Sequence, residues 1–94
     1  MRNENFLPYT FAVMELNTNR QRRDCWEKIC GTFSRAEIEK ALDDLEPITA
    51  RVLRLHYLEN YPLTEIGSLI GRSVSVVRNH QRLGIYRLSK YFNL

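Results

Sequence analysis

The sequence predicts an all-α fold, a small bundle of about four to five helices ending in a helix-turn-helix. Three observations carry this. Glycine and proline are few, 4 and 3 in 94 residues. Strand-like alternation is weak, and apolar residues instead recur at i, i+3, i+4 and i+7. The recurrences begin behind residues that cap or open helices. A chain of this length forms one small domain and has no room for a cleft between two. Its 44% apolar content is enough for a packed core and argues against disorder.

Residues 1–17 are read as an N-terminal arm and residues 18–94 as the folded domain. Pro8 is able to open a short helix, and packing of the arm on the domain or on a second subunit both fit. The apolar stretch Phe6 to Leu16 holds Pro8, Thr10 and Glu15, so it is too short and too interrupted to span a membrane. A signal peptide is not expected, because Asn17 to Arg23 is polar and charged.

Thr18 caps the first expected helix, which runs to about Cys30 with Gly31 as its stop. Trp26, Ile29, Cys30 and Phe33 share its inner side. Arg20, Arg22 and Arg23 sit in its first turn or so, where cations oppose the helix dipole; a partner would explain them. Ser34-Arg-Ala-Glu37 has the form of a capping box and starts a second helix, with Ile38, Ala41, Leu42 and Leu45 inward. Pro47 opens a third, where its missing N–H is not needed. Ile48, Val52 and Leu55 line its inner side, Arg51 and Arg54 point elsewhere, and Asn60 and Pro62 end it, with Asn60 as a left-handed cap.

From Leu63 the pattern is short helix, tight turn, longer helix. Leu63, Ile66 and Ile70 form one face of the short helix, with Leu69 beside them. Gly67 lets a second helix approach, and Gly71 supplies the left-handed turn that a steep crossing needs. Ser73 caps the last helix, expected over 74–92, with Val74, Val77, Gly84, Ile85, Leu88 and Phe92 inward. Its other face carries Ser75, Arg78, Asn79 and Arg82 at i, i+3, i+4 and i+7. Arg and Asn are the side chains whose paired groups match guanine and adenine edges in the major groove. Such a stripe at the start of a helix behind a tight turn describes a helix-turn-helix reader of duplex DNA.

Charge agrees. Residues 1–50 carry a net −2 and residues 51–94 a net +5, and no acid follows Glu65. A basic C-terminal part in an otherwise balanced chain fits a polyanion partner, although a solvated basic face fits the charge alone equally well.

The run from Leu45 to Gly71 resembles region 4 of sigma-70-type factors and is also similar to the related LuxR-type helix-turn-helix, and the match with both continues through Ser73-Val-Ser-Val-Val-Arg-Asn-His80. The resemblance covers about residues 34–92. It implies a bundle of about four helices whose last reads the upstream promoter element. It implies groove contacts by Arg78, Asn79 and Arg82 and phosphate contacts by Thr64, Ser73 and Ser75; Arg72, beside them, joins the expected DNA-binding set. Three positions depart from the pattern. Arg72 replaces an apolar residue, Gln81 stands where Leu, Ile or Val is usual, and Pro62 replaces a Ser cap. Nothing in the chain resembles region 2, the part that melts promoter DNA, so the sequence does not describe a complete sigma factor.

Other chemistry finds little support. His56 and His80 are the only histidines; His56 reads as structural, and His80 either touches a phosphate or packs at a helix seam. Cys25 and Cys30 are five apart, which suits two buried thiols of a reducing cytosol rather than a disulfide or zinc site. No Gly-rich phosphate loop and no nucleophile beside a base is present. Asp43, Asp44 and Glu46 read as a solvated acidic corner. The expected protein is therefore a cytoplasmic, bacterial, DNA-binding transcriptional regulator without catalytic residues, metal or cofactor. One recognition helix covers few base pairs, so a homodimer or RNA polymerase is the expected further partner, through the arm or the Trp26 helix. The competing expectation is an adaptor that contacts RNA polymerase or an anti-sigma-like protein without DNA.

Overall fold

The structure, a computed structural model, describes residues 18–94. The arm expected over 1–17 lies outside the described residues. Among the described residues five α-helices follow one another: α1 (Asn19–Thr32), α2 (Arg35–Asp43), α3 (Pro47–Leu53), α4 (Leu63–Ile70) and α5 (Val74–Tyr91). α3 continues as one π-helical turn, Arg54–Leu58. There is no strand among the described residues.

Local chemistry places most helix ends. Thr18 Oγ1 accepts from the Gln21 N–H while Gln21 Oε1 accepts from the Thr18 N–H, both at 3.0 Å. Ser34 and Glu37 make the same reciprocal pair at 3.1 and 2.8 Å. Each pair satisfies two amides that the helix itself leaves free. Pro47 occupies the first turn of α3. Gly31 does not stop α1. The helix runs on to Thr32, whose hydroxyl donates to the Lys28 carbonyl at 2.7 Å. It ends at Phe33, which is extended and stacks on Phe92 with ring centroids 4.1 Å apart. A tertiary contact thus fixes the end that a glycine was expected to fix.

The core forms two clusters joined by α3 and α5. Trp26, Ile29, Ile38, Ala41, Leu42, Leu53, Ile85 and Leu88 make the larger; Val52, Leu63, Ile66 and Val77 make the smaller. Trp26 stacks on Tyr57 at 4.8 Å. Cys30, expected inside, is exposed, and Cys25 is half-buried. The face that α3 buries is turned by about one residue from expectation. Thr49, Ala50, Val52 and Leu53 are buried, while Ile48 is exposed and Leu55 half-buried. Gly84 is the cause. A Cβ there would lie 2.7 Å from Leu53 Cδ1 and 2.9 Å from Thr49 Cγ2. Its absence lets α5 seat directly on those two side chains. Leu69, expected beside the buried face of α4, is 51% exposed.

The π turn closes with a Glu59 N–H bond to the Arg54 carbonyl at 3.0 Å. Asn60 then takes a left-handed φ of 64°, as its cap position requires. His56 Nδ1–H donates to the Tyr61 carbonyl at 2.8 Å and pins the returning chain. Arg54, expected to point away, bridges α3 to α2: its Nη2 lies 3.0 Å from Glu39 Oε1 and 2.8 Å from Asp43 Oδ1. Asp43 is therefore part of an ion-pair network that includes Arg35 and Glu39, not only a solvated corner.

Two predictions follow from this packing. A methyl at Gly67 would meet the Arg72 carbonyl at 2.7 Å, whereas nothing lies within 4 Å at Gly31. Gly67→Ala should cost about 1–3 kcal/mol despite alanine's better helix propensity. Gly31→Ala should stabilise by about 0.4–1 kcal/mol. Urea unfolding of both variants checks the contrast. Hydrogen bonds from Arg54 and then Arg35 hold the Glu39 carboxyl below the ordinary carboxylate range. Its contribution is present above the unfolded value and is lost as pH falls through the lower folded one. The melting temperature of Glu39→Gln should therefore fall less steeply than wild type below about pH 4.5. Superimposable curves would remove the network from acid stability.

Candidate nucleic-acid interface

The helix-turn-helix is built by two glycines and a serine. Gly71 adopts φ 71°, a left-handed turn that strains any other side chain, and its N–H donates to the Gly67 carbonyl. Arg72 N–H reaches the same carbonyl at 3.0 Å. Ser73 is the N-cap of α5, accepting from the Val76 N–H at 3.3 Å. Pro62 sits at the corresponding position of α4 and gives no side-chain cap. α5 spans 74–91, one residue short of the expected end. Val77, Gly84, Ile85 and Leu88 are buried on its inner face; Val74 and Phe92 are half-buried.

The polar stripe lies on the opposite side. Ser75 and Asn79 are exposed, and Arg78 and Arg82 are half-buried. Thr64, Arg72 and Ser73 are exposed at the start of α4 and in the turn. Thr64, Val74 and Arg78 line one groove, so the structure brings the start of α4 against the stripe. Arg82 stands apart from the others. Its Nε is enclosed without a hydrogen-bond partner, towards the seam between α1 and α5. His80 is turned away from the stripe: its Nδ1 is 2.9 Å from the Thr49 hydroxyl. The helix-seam reading of His80 is the one that the geometry bears out.

Two features escape a reading along the sequence. Arg22 is buried, 2% exposed, and its Nη2 donates to Asn19 Oδ1 at 2.9 Å. Burial, and then the positive charges of Arg82 and Arg78, lower its pKa, although a guanidinium stays charged. Its spacing to Trp26 and Ile29, i+4 and i+7, places it on the buried face, and that was the signal available. Gln81 is the second feature. It is buried, and its Nε2 donates to the Tyr57 hydroxyl at 2.9 Å. Burial raises the Tyr57 pKa, which the Gln81 bond partly offsets. A polar seam therefore joins the π turn and α5 where an aliphatic residue was the expected filler. The Trp26 face of α1 is spent on this chain's own core and is not open to a partner.

The arrangement offers a row of donors to a polyanion. Among the described residues no group of His, Cys, Asp and Glu is placed to hold a metal ion, and no helix is long and apolar enough to cross a membrane. Compared with known families, residues 41–90 match the model described as sigma-70, region 4. That is more than half of the chain, from the last turn of α2 to the last turn of α5. No curated protein and no solved structure matches the chain.

The cap of α5 is testable without any ligand. Ser73→Ala should lower unfolding stability by about 1 kcal/mol, and Ser73→Asp should restore it, because either oxygen accepts the Val76 N–H. Equal stability of wild type and Ser73→Ala in urea would remove the cap from the account.

Proposed function

Because the chain belongs to the sigma-70 region 4 family, a helix-turn-helix DNA-binding region, we propose that it reads a specific duplex sequence and regulates transcription. The observation that supports this reading is the stripe on α5. Ser75, Arg78, Asn79 and Arg82 follow a capped helix start, and Arg78 and Arg82 form no ion pair among the described residues. Arg78 and Asn79 enter the major groove and hydrogen-bond base edges. Thr64, Arg72, Ser73 and Ser75 hold phosphates, which position the helix without carrying sequence information. Arg82, half-withdrawn to the α1 seam, swings outward to reach the groove. The likeness of residues 73–80 to the LuxR-type helix-turn-helix supports the same docking.

A single recognition helix reads only a few base pairs. The site of action is therefore a cytoplasmic, bacterial promoter complex in which RNA polymerase, or a second copy of the chain, supplies the remaining specificity. The experiment is fluorescence anisotropy on a selected duplex site, followed through a salt series. Wild type should bind and lose affinity steeply with salt as counterions are released. Arg78→Ala should cost about 1–3 kcal/mol on the preferred site, roughly 5- to 150-fold, and relax the preference at one position. Unchanged affinity would take base reading away from Arg78. Absence of duplex binding even at low salt, with polymerase or an anti-sigma-like protein retained from nuclease-treated extract, would replace the DNA reading with the adaptor.

A further inference from the structure

α1 lies outside the family-matched residues, yet it borders the reading stripe. One groove runs between them. Thr64, Val74 and Arg78 form the helix-turn-helix wall; Asn19 and Arg23 of α1 form the other. The first turn of α1 holds no acid. Arg22, beside Arg23 in the chain, is explained by the fold, since it is buried in the seam. Arg23 is not so explained. It is exposed and forms no ion pair among the described residues, although Glu27 stands one turn further on. An exposed cation on a groove wall, with no ion pair inside the fold, is available to a ligand in that groove.

We infer that Arg23 binds a backbone phosphate of duplex DNA, so that α1 and the helix-turn-helix clamp one strand between Arg23 and Thr64. The inference rests on the DNA-binding reading above. With the start of α5 in the major groove, the strand that borders the groove passes the start of α4, where Thr64 is exposed. Arg23 lines the groove that Thr64 and Arg78 line, besides a second one towards Tyr61, and its long side chain reaches that strand from there. The position is rigid. Trp26, one turn on from Arg23, is buried and stacked on Tyr57, and Ile29 is fully enclosed. α1 thus holds the Arg23 backbone in place beside the groove, without first having to dock. A phosphate is the same at every base pair, so Arg23 adds affinity and leaves sequence preference unchanged.

The test uses the full chain in a salt series by fluorescence anisotropy, on a selected site and on a pool of random duplexes. Wild type is compared with Arg23→Gln, Arg23→Lys and Arg51→Gln. Arg51 is an exposed control that lines a different groove, between α2 and α3. Arg23→Gln should weaken low-salt binding about three- to tenfold on both DNAs and reduce the slope of log K against log salt by about one. Arg23→Lys should keep the wild-type slope, and Arg51→Gln should change neither quantity. If wild type binds and Arg23→Gln behaves as Arg51→Gln does, α1 makes no contact and the inference fails while the DNA reading stands. A loss confined to the selected site would make Arg23 a base reader and overturn the phosphate role. If wild type binds neither DNA, the DNA reading fails and takes this inference with it.

Discussion

The direction of α5 rests on a backbone contact that only glycine allows. Gly67 meets the Arg72 carbonyl so closely that a single methyl would displace it, and Gly71 then turns the chain left-handed. These two residues fix the angle at which the last helix leaves α4. Further along, Gly84 sets how deeply the same helix seats on Thr49 and Leu53. α5 supplies Val77 to the smaller core cluster and Ile85 and Leu88 to the larger. The helix that holds the two halves of the core together is the one that carries the polar stripe. An error in its angle would disturb core and interface together.

Around this helix the protein tolerates unusual polarity. Arg22 and Gln81 are buried, and Gln81 Oε1 and Arg82 Nε have no hydrogen-bond partner. Enclosed polar atoms of that kind are a destabilising term in a small domain. They lie where α1 and the π turn meet α5, and the positive charges of Arg78 and Arg82 reach back to Arg22. On the proposed reading, a DNA backbone relieves this concentration of positive charge. The seam therefore joins α1 to the polar stripe of α5 by packing, against the mutual repulsion of Arg22, Arg78 and Arg82.

What was legible in the sequence is what local chemistry decides. Thr18, Ser34, Pro47, Ser73, Asn60 and Gly71 act at the positions expected of them, because capping and left-handed turns involve neighbours within four residues. Helical spacing alone likewise places Ser75, Arg78 and Asn79 on one face of α5, whereas Arg82 turns towards the α1 seam. The misread positions are set by distant partners. α1 outruns Gly31 because Phe33 is held by Phe92. Ile48 is exposed because Gly84 draws the next residue, Thr49, inward. Arg22 is inside because a guanidinium at the end of a long stem can share a seam with Tyr57 and Arg82. No pattern within α1 names those partners.

The most direct measurement is a titration of the isotopically labelled chain with a short duplex, followed residue by residue in backbone amide spectra. The account predicts shifts concentrated at Thr64, at 72–79 and at Arg23, with Arg51 and the solvent face of α2 unmoved. Shifts centred on exposed Leu69, or on the α2–α3 face, with the start of α5 silent, would contradict it.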